Sequence, residues 1–313
     1  MRRILLSLVL LATAGPAAAE SGRTAVPFLQ RSLGARAAGM GTAFAAVRWG
    51  LDSVQYNPAA LSTLSRPTIT STYLNGFGGT NHSFIAYGQP LGRFGTLAPS
   101  LVYFNAGSID LNLSDGTTGR VSAETDFAWA LSYAVRTVFG VHIGATYRFI
   151  RTNLAETLSA TTTQGDFGAL WETPLEGLSV GGAYQYVGPD IKFEEVGDPP
   201  PRTFRYGVAY HFPDLDPTKI DPSVDLEEFD MTVALDQVHT LYERLSPRLG
   251  IEVGLKPSYI SRVALRTGWV VGRDAESFTF GLGFRSGKLG FDYAFGRGGD
   301  VGHLQQFSLT VAF

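Results

Sequence analysis

Cysteine is absent from the 313-residue chain, which excludes disulfides, thiolate metal sites and a cysteine nucleophile together. It also excludes the lipoprotein anchor, which needs an acylated cysteine at its cleavage site. Charge is scarce: Asp, Glu, Lys and Arg make up 17% of the residues, below the roughly 25% of an ordinary soluble domain. The formal net charge is −3, so there is no basic surplus and no nucleic-acid partner is expected. Long apolar runs are missing as well. No segment reaches the roughly 20 apolar residues that a membrane-spanning helix needs, so a chain like this enters a bilayer only as a closed β-barrel. What is abundant is aromatic or small: 21 Phe, 13 Tyr and 37 Gly. That mixture suits a barrel in lipid and a soluble β-sandwich alike.

The first residues, "MRRILLSLVLLATAGPAAAE", carry Arg2 and Arg3, a short apolar run and then Ala17-Ala18-Ala19. This pattern predicts a cleaved secretory signal over 1–19, and hence export from the cytoplasm. Residues 20–66 are rich in Ala and Gly and do not alternate. They read as short helical turns able to pack inside something else. Asn57-Pro58 marks a turn, with Pro58 opening a short helix over 58–64 and Asn57 as its cap.

From residue 67 onward the pattern changes to short alternating runs. Strands are expected at 68–75, 82–89, 95–106, 123–135, 139–151, 162–172, 178–187, 202–212, 229–239, 247–256, 260–271, 277–286, 288–297 and 304–313. Fourteen is an even number, as single-chain bacterial barrels require. Within 123–135 one face carries Phe127, Trp129, Leu131, Tyr133 and Val135, and the other Asp126, Ala128, Ala130, Ser132 and Ala134. Within 247–256, Leu249, Ile251, Val253 and Leu255 oppose Arg248, Gly250, Glu252, Gly254 and Lys256. A wetted sheet face tends to carry Thr, Lys and Glu, whereas here Gly and Ala recur between isolated charges. The expectation is therefore that the aromatic face meets lipid and the small, charged face lines a filled lumen. An Arg near the bilayer midplane would cost about 2–4 kcal/mol if it faced lipid, so Arg148, Arg205, Arg248, Arg262, Arg266 and Arg285 belong inside. Tyr147, Trp129, Trp171 and Trp269, near strand ends, suit interfacial girdles.

Connections are expected to be short on one rim and long on the other. The long ones are 107–122, 188–201 and the acidic stretch 213–228, which lacks the spacing of a calcium loop. The last residues, "LQQFSLTVAF", alternate up to Phe313. A closing strand that ends on an aromatic resembles the signal read by the outer-membrane barrel assembly machinery, which is thus an expected partner.

The stretch "GARAAGMGTAFAAVRWGLDSVQYNPAAL", Gly34 to Leu61, resembles the amino-terminal motif of the PorV/PorQ group, relatives of the FadL long-chain fatty-acid channels. The matching positions are Gly34, Arg36, Gly39, Met40, Gly41, Asp52 and the triplet Asn57, Pro58, Ala59. One departure is Leu51-Asp52, where Asp-Asp or Asn-Asp is usual. The resemblance implies an all-β, monomeric, fourteen-stranded outer-membrane barrel over 67–313, with 20–66 as a helical hatch in its lumen. It implies either of two roles: passage of hydrophobic small molecules such as long-chain fatty acids, or service in a secretion system by binding exported proteins. For the first, candidate lining residues are Phe28, Leu33, Met40, Phe44 and Leu61.

No catalytic constellation, cofactor motif or metal pair stands out, and no cofactor is expected. His142 with Ser132 and Asp126 can be drawn as a triad across adjacent strands, but nothing in the sequence aligns their heights. The Gly-rich "GFGG" at 76–79 and "GRGGD" at 296–300 do not lead into helices and so are not phosphate cradles.

Overall fold

The computed structural model describes residues 22–112, 118–215, 228–258, 261–272, 277–297 and 302–313. The expected signal at 1–19 lies outside these residues. The alternating runs form strands β1 (Thr68–Asn75), β2 (Asn81–Pro90), β3 (Thr96–Asn105), β6 (Glu124–Arg136), β7 (Val141–Leu154), β8 (Leu158–Glu172), β9 (Leu178–Val187), β12 (Thr203–Leu215), β13 (Glu228–Thr240), β14 (Ser246–Ser258), β15 (Ser261–Val270), β16 (Phe278–Ser286), β17 (Leu289–Arg297) and β18 (His303–Ala312). These fourteen close into one antiparallel barrel, each pairing with its neighbours in sequence. Closure comes from β1 on β18, in register from Thr68 opposite Ala312 to Asn75 opposite Gln305. The sequence pattern missed two small hairpins, β4 (Ser108–Asn112) with β5 (Thr118–Ser122) and β10 (Ile191–Lys192) with β11 (Gly197–Asp198). Both lie in segments read from sequence as loops.

The two faces separate as the alternation requires. On β6, Asp126, Ala128, Ser132 and Ala134 are buried inside, while Trp129, Leu131 and Tyr133 are exposed outside. Trp129 is 59% exposed, Tyr147 62% and Phe167 60%, so the outer surface of the cylinder is aromatic and uncovered.

Strand parity sets the rims. One rim, the near rim, carries Pro67 and Phe313, joined by a 2.9 Å backbone hydrogen bond from the Phe313 amide. The β4–β5 and β10–β11 hairpins sit on the opposite, far rim, because they follow strands that run away from the near rim. The β12–β13 connection does not join them there. β12 ends at Leu215 and β13 begins at Glu228, both on the near rim. The acidic stretch, of which 216–227 lies outside the described residues, therefore leaves from the other end of the barrel than 107–122 and 188–201. Long connections are thus not confined to one rim, contrary to the expectation.

Residues 22–66 form no strand. They contain a 3-10 turn at Pro27–Gln30, the short helix α1 at Ala35–Gly39, and 3-10 helices at Leu51–Gln55 and Pro58–Thr63. The segment begins beside the far rim, where the Ala25 amide donates to the Pro199 carbonyl and Arg23 stacks on Tyr242. It ends at Pro67 on the near rim. Between these ends it touches inward-facing residues on opposite arcs of the cylinder: α1 meets β15 to β18, and the 58–63 helix meets β3, β6, β7 and β8.

Candidate functional site

The motif residues fall where the amino-terminal segment meets the wall. Gly34 opens α1 at φ 95°, a left-handed conformation that favours glycine. A Cβ there would also sit 2.7 Å from the Asp52 Cγ. Two residues on, Arg36 is buried and donates from Nε and Nη2 to the two Glu252 oxygens, each at 2.9 Å. Its Nη1 donates to the Trp49 carbonyl at 2.7 Å. Glu252 is also contacted by Arg266 at 2.5 Å and Arg262 at 3.2 Å. Asp230 and Asp292 balance those two arginines. This arc of the lumen is a lattice of buried ion pairs, with the planar guanidinium fork matched to a carboxylate.

The rest of the motif rests on strand backbone. Gly39 packs on the Gly281 Cα, and the Gly41 amide donates to Thr279 Oγ1 at 3.0 Å. The Met40 carbonyl lies 2.5 Å from where a Cβ of Gly250 would stand. On the opposite arc a Cβ on Gly144 would be 2.5 Å from the Ala59 amide nitrogen, and one on Gly168 would overlap Asn57 Oδ1 and approach Pro58 Cδ at 2.9 Å. The recurring glycines of the inward face are therefore contact points for another stretch of backbone. Asn57 caps the 3-10 helix by accepting from the Ala59 amide at 3.1 Å. Its Nδ2 also donates to Ala45 O at 2.6 Å and to Ala169 O at 3.0 Å, linking segment to wall.

Asp52 is buried, with Gly34 against its side chain. Burial pushes its pKa up to about 6, and the Asp292 charge adds to the rise. Burial likewise raises the Tyr56 hydroxyl, which donates to Leu33 O at 2.9 Å.

The sequence reading missed several partners. Asp236 accepts from the Phe44 and Ala45 amides, both at 2.8 Å. Ser308 accepts from the Ala35 amide at 2.9 Å, and Gln306 donates to Ser32 O at 2.8 Å. Each lies on an inward strand face as a polar residue among small ones, and that was the available signal. What it touches depends on the path of the amino-terminal chain.

The candidate lining residues go elsewhere. Phe28, Leu33 and Leu61 are buried in one apolar cluster with Phe84, Val102 and Ile150. Phe28 stacks on Phe104 with ring centres 5.9 Å apart. Met40 and Phe44 lie in a second cluster with Tyr56 and Leu170. None of the five borders the cavity left between the segment and the β9–β18 wall. Their apolar surface is used in packing the segment to the wall. The cavity is bounded by Leu29 and Tyr56 from the segment and by Tyr186, Val238, Phe295, Arg205 and Arg248 from the strands. Arg205 donates to Thr42 O at 2.8 Å and faces Asp236 at 3.5 Å.

The drawn triad does not assemble. Ser132 pairs with Thr146 at 2.8 Å, and Asp126 takes the Thr152 hydroxyl. His142 instead braces the near rim, with Nδ1 2.6 Å from Ser62 Oγ and Nε2 3.4 Å from Glu172. The Ser62 hydroxyl also donates to Ala59 O at 2.7 Å, so its proton is engaged away from the imidazole. Glu172 holds Arg48 at 3.0 Å as well, which ties residues 48–62 to β7 and β8. His211 contacts Thr232 at 2.9 Å and lies edge-on to Trp49. Phe313 is exposed at the near rim.

Among solved structures, the Pseudomonas putida toluene transporter TodX superposes with a TM-score of 0.58 at 11% identity, over 90% of this chain and 98% of that one. A Pseudomonas aeruginosa FadL homologue gives a TM-score of 0.51 at 11% identity, over 90% and 98%. At that identity the likeness is one of fold. A search of curated proteins by sequence finds no match. A family model, that of the type IX secretion system protein PorV, matches residues 17–234. The match takes in the whole amino-terminal motif and most of the barrel's strands, and the chain belongs to the PorV family.

Proposed function

We propose that the protein is an outer-membrane barrel whose residues 22–66 serve as a lumenal hatch, and that it passes hydrophobic small molecules between hatch and wall. The observation that carries this reading is that the amino-terminal segment and the strands jointly bound a cavity, with Leu29 and Tyr56 on one side and Tyr186, Val238 and Phe295 on the other. Membrane placement is supported by the outer surface, since a contiguous uncovered apolar face of this kind is foreign to soluble monomers. The near-rim Tyr and Trp side chains suit the bilayer interface. Phe313 on the closing strand suits recognition by the barrel assembly machinery. The barrel closes within one chain, which fits a monomer.

The test is uptake of labelled oleate and of toluene by proteoliposomes that hold the full chain. Val238→Trp, which fills the cavity from the wall, is expected to reduce uptake several-fold while leaving the barrel folded. Equal flux with and without the protein sinks the reading.

Family membership favours a second role, as a secretion-system subunit that binds exported proteins. The β4–β5 and β10–β11 hairpins share the far rim and are its candidate surface. The 213–228 stretch leaves from the other rim and does not belong to that surface. Co-purification of exported proteins with the wild-type barrel, lost when both hairpins are shortened, supports this role. Full secretion in cells that lack the gene removes it.

A further inference from the structure

Three near-rim turns, neighbours around the barrel, carry apolar side chains at their tips. Phe94 in the β2–β3 turn is 62% exposed and Phe139 in the β6–β7 turn 90% exposed, with Val138 beside it and Leu175 of the β8–β9 turn exposed as well. Tight turns in water are built chiefly from Gly, Pro, Asn, Asp and Ser. Phe139 also stands at φ 56°, in the left-handed region where a bulky residue is an outlier and Gly or Asn is favoured. An exposed ring held in that conformation gains nothing from packing inside the barrel.

The turns are tied to the outer surface of the wall. Tyr133 of β6 points outward, and its hydroxyl donates to the Phe94 carbonyl at 2.5 Å. Trp171 of β8 is also exposed, and its indole Nε1 donates to the Phe139 carbonyl at 3.2 Å. At the third turn the Tyr210 ring of β12 takes the same place, 3.6 Å from where a Cβ of Gly177 would stand. The device repeats: an aromatic residue near the end of a strand braces the turn beside it. Two turn carbonyls are thereby satisfied by Tyr and Trp rather than by water, which is what backbone needs at the edge of hydrocarbon. Tyr and Trp are the residues of the bilayer interface, and the tips continue the uncovered apolar face past them. The Arg93 guanidinium lies 4.9 Å from the centre of the Phe94 ring, an arrangement that lets an apolar stem sink while its charged end stays at headgroup level. The rest of the rim is not all built this way. The β16–β17 turn is Ser286-Gly287-Lys288, polar and exposed.

We propose that the turns of the β2–β9 arc form a lipid-binding edge: Phe94, Val138, Phe139 and Leu175 enter the phospholipid monolayer at the near rim, and the barrel is seated deeper on this arc than at the β16–β17 turn. The inference rests on the membrane placement proposed above and is independent of what the barrel passes or binds.

The test uses the absence of cysteine, which lets a single nitroxide label be placed on the full chain in vesicles of phosphatidylethanolamine and phosphatidylglycerol. Collisions with oxygen, which concentrates in lipid, and with a nickel chelate, which stays in water, report the depth of each label. Leu131→Cys on the outer wall and Val196→Cys on the exposed far-rim hairpin set the lipid and water limits. Val138→Cys and Leu175→Cys are expected to give an oxygen-to-nickel ratio several-fold above that of Val196→Cys, and Lys288→Cys to match Val196→Cys. Either turn position serves should the other variant not fold, as judged by the compact band on unheated gels. Adding Phe139→Asn, which suits the positive φ, should lower the ratio at Val138→Cys and leave that at Leu131→Cys unchanged. Labels at 138 and 175 as open to nickel as Val196→Cys overturn the proposal and leave the tips to a protein partner. Lys288→Cys shielded as deeply as Val138→Cys also overturns it, because immersion would then owe nothing to the apolar tips. Leu131→Cys open to nickel removes the membrane placement itself, whereas Leu131→Cys shielded beside open labels at 138 and 175 removes the lipid edge alone.

Discussion

The two arcs of wall that receive the amino-terminal segment hold it by different means. On the β13–β17 arc, Arg36 reaches into a lattice of Glu252, Arg262, Arg266, Asp230 and Asp292, an ion-pair network added to the glycine seats under residues 39–41. On the β6–β9 arc the charged contact is confined to the near rim, where Glu172 holds Arg48, and the rest of the seat is uncharged. Strand glycines 144, 168 and 181 let the backbone of 45–46 and 57–59 lie directly on the sheet, with Asn57 bonding both sides. The first arc depends on charge balance in a low dielectric, where removing one partner is costly. The second depends on space, where a methyl group is enough to interfere.

The sharpest way to break the comparison is Glu252→Ala. It leaves Arg36, Arg262 and Arg266 without their shared carboxylate and is expected to cost about 3–5 kcal/mol. A lowered urea midpoint and loss of the compact band on unheated gels would record it. Asp52→Asn should act in the opposite direction. The folded-state pKa of Asp52 lies above its ordinary value of 3.8, at about 6. The folded protein therefore holds a proton there that the unfolded chain releases, and stability falls as pH rises through that window. At neutral pH the charge costs about 3 kcal/mol. Asn should remove that pH slope, and urea midpoints measured on either side of the window will show whether it does.

Asn57→Ala probes the uncharged seat on the β6–β9 arc. It deletes one accepted and two donated hydrogen bonds at a fully buried site and is expected to cost about 2–3 kcal/mol. The segment should become open to protease while the barrel stays folded. An unchanged digestion pattern would mean that packing alone seats it. Gly168→Ala should free the same stretch by overlap with Asn57, at about 1–3 kcal/mol. The smallest effect is expected for Asp110→Asn on the far-rim hairpin. Its pair with Arg120 at 3.1 Å is mostly exposed, and such pairs contribute about 0–1 kcal/mol.

Much of this was legible in the chain because a strand has period two. Val141 to Leu154 must place His142, Thr146, Arg148 and Thr152 on one side and Ile143, Tyr147 and Phe149 on the other, whatever the strand pairs with. The same rule located each wall strand to within a few residues and put every lumenal arginine inside. Asn57-Pro58 announced its own cap, since the bond to the Ala59 amide is local. The β4–β5 and β10–β11 hairpins were missed because they are short and lie in loops with little alternation. The acidic stretch was assigned to the wrong rim because composition does not count strand parity.

Local periodicity thus settled by itself which residues form the wall and which way each one faces, because those follow from backbone geometry within a few residues. Only the folded chain decided what the inward face is for. The glycines became seats for backbone, and the aromatic residues 28 and 44 went into packing rather than a cavity. Those outcomes depend on contacts between residues as far apart as Arg36 and Glu252, whose distance in space no local pattern encodes.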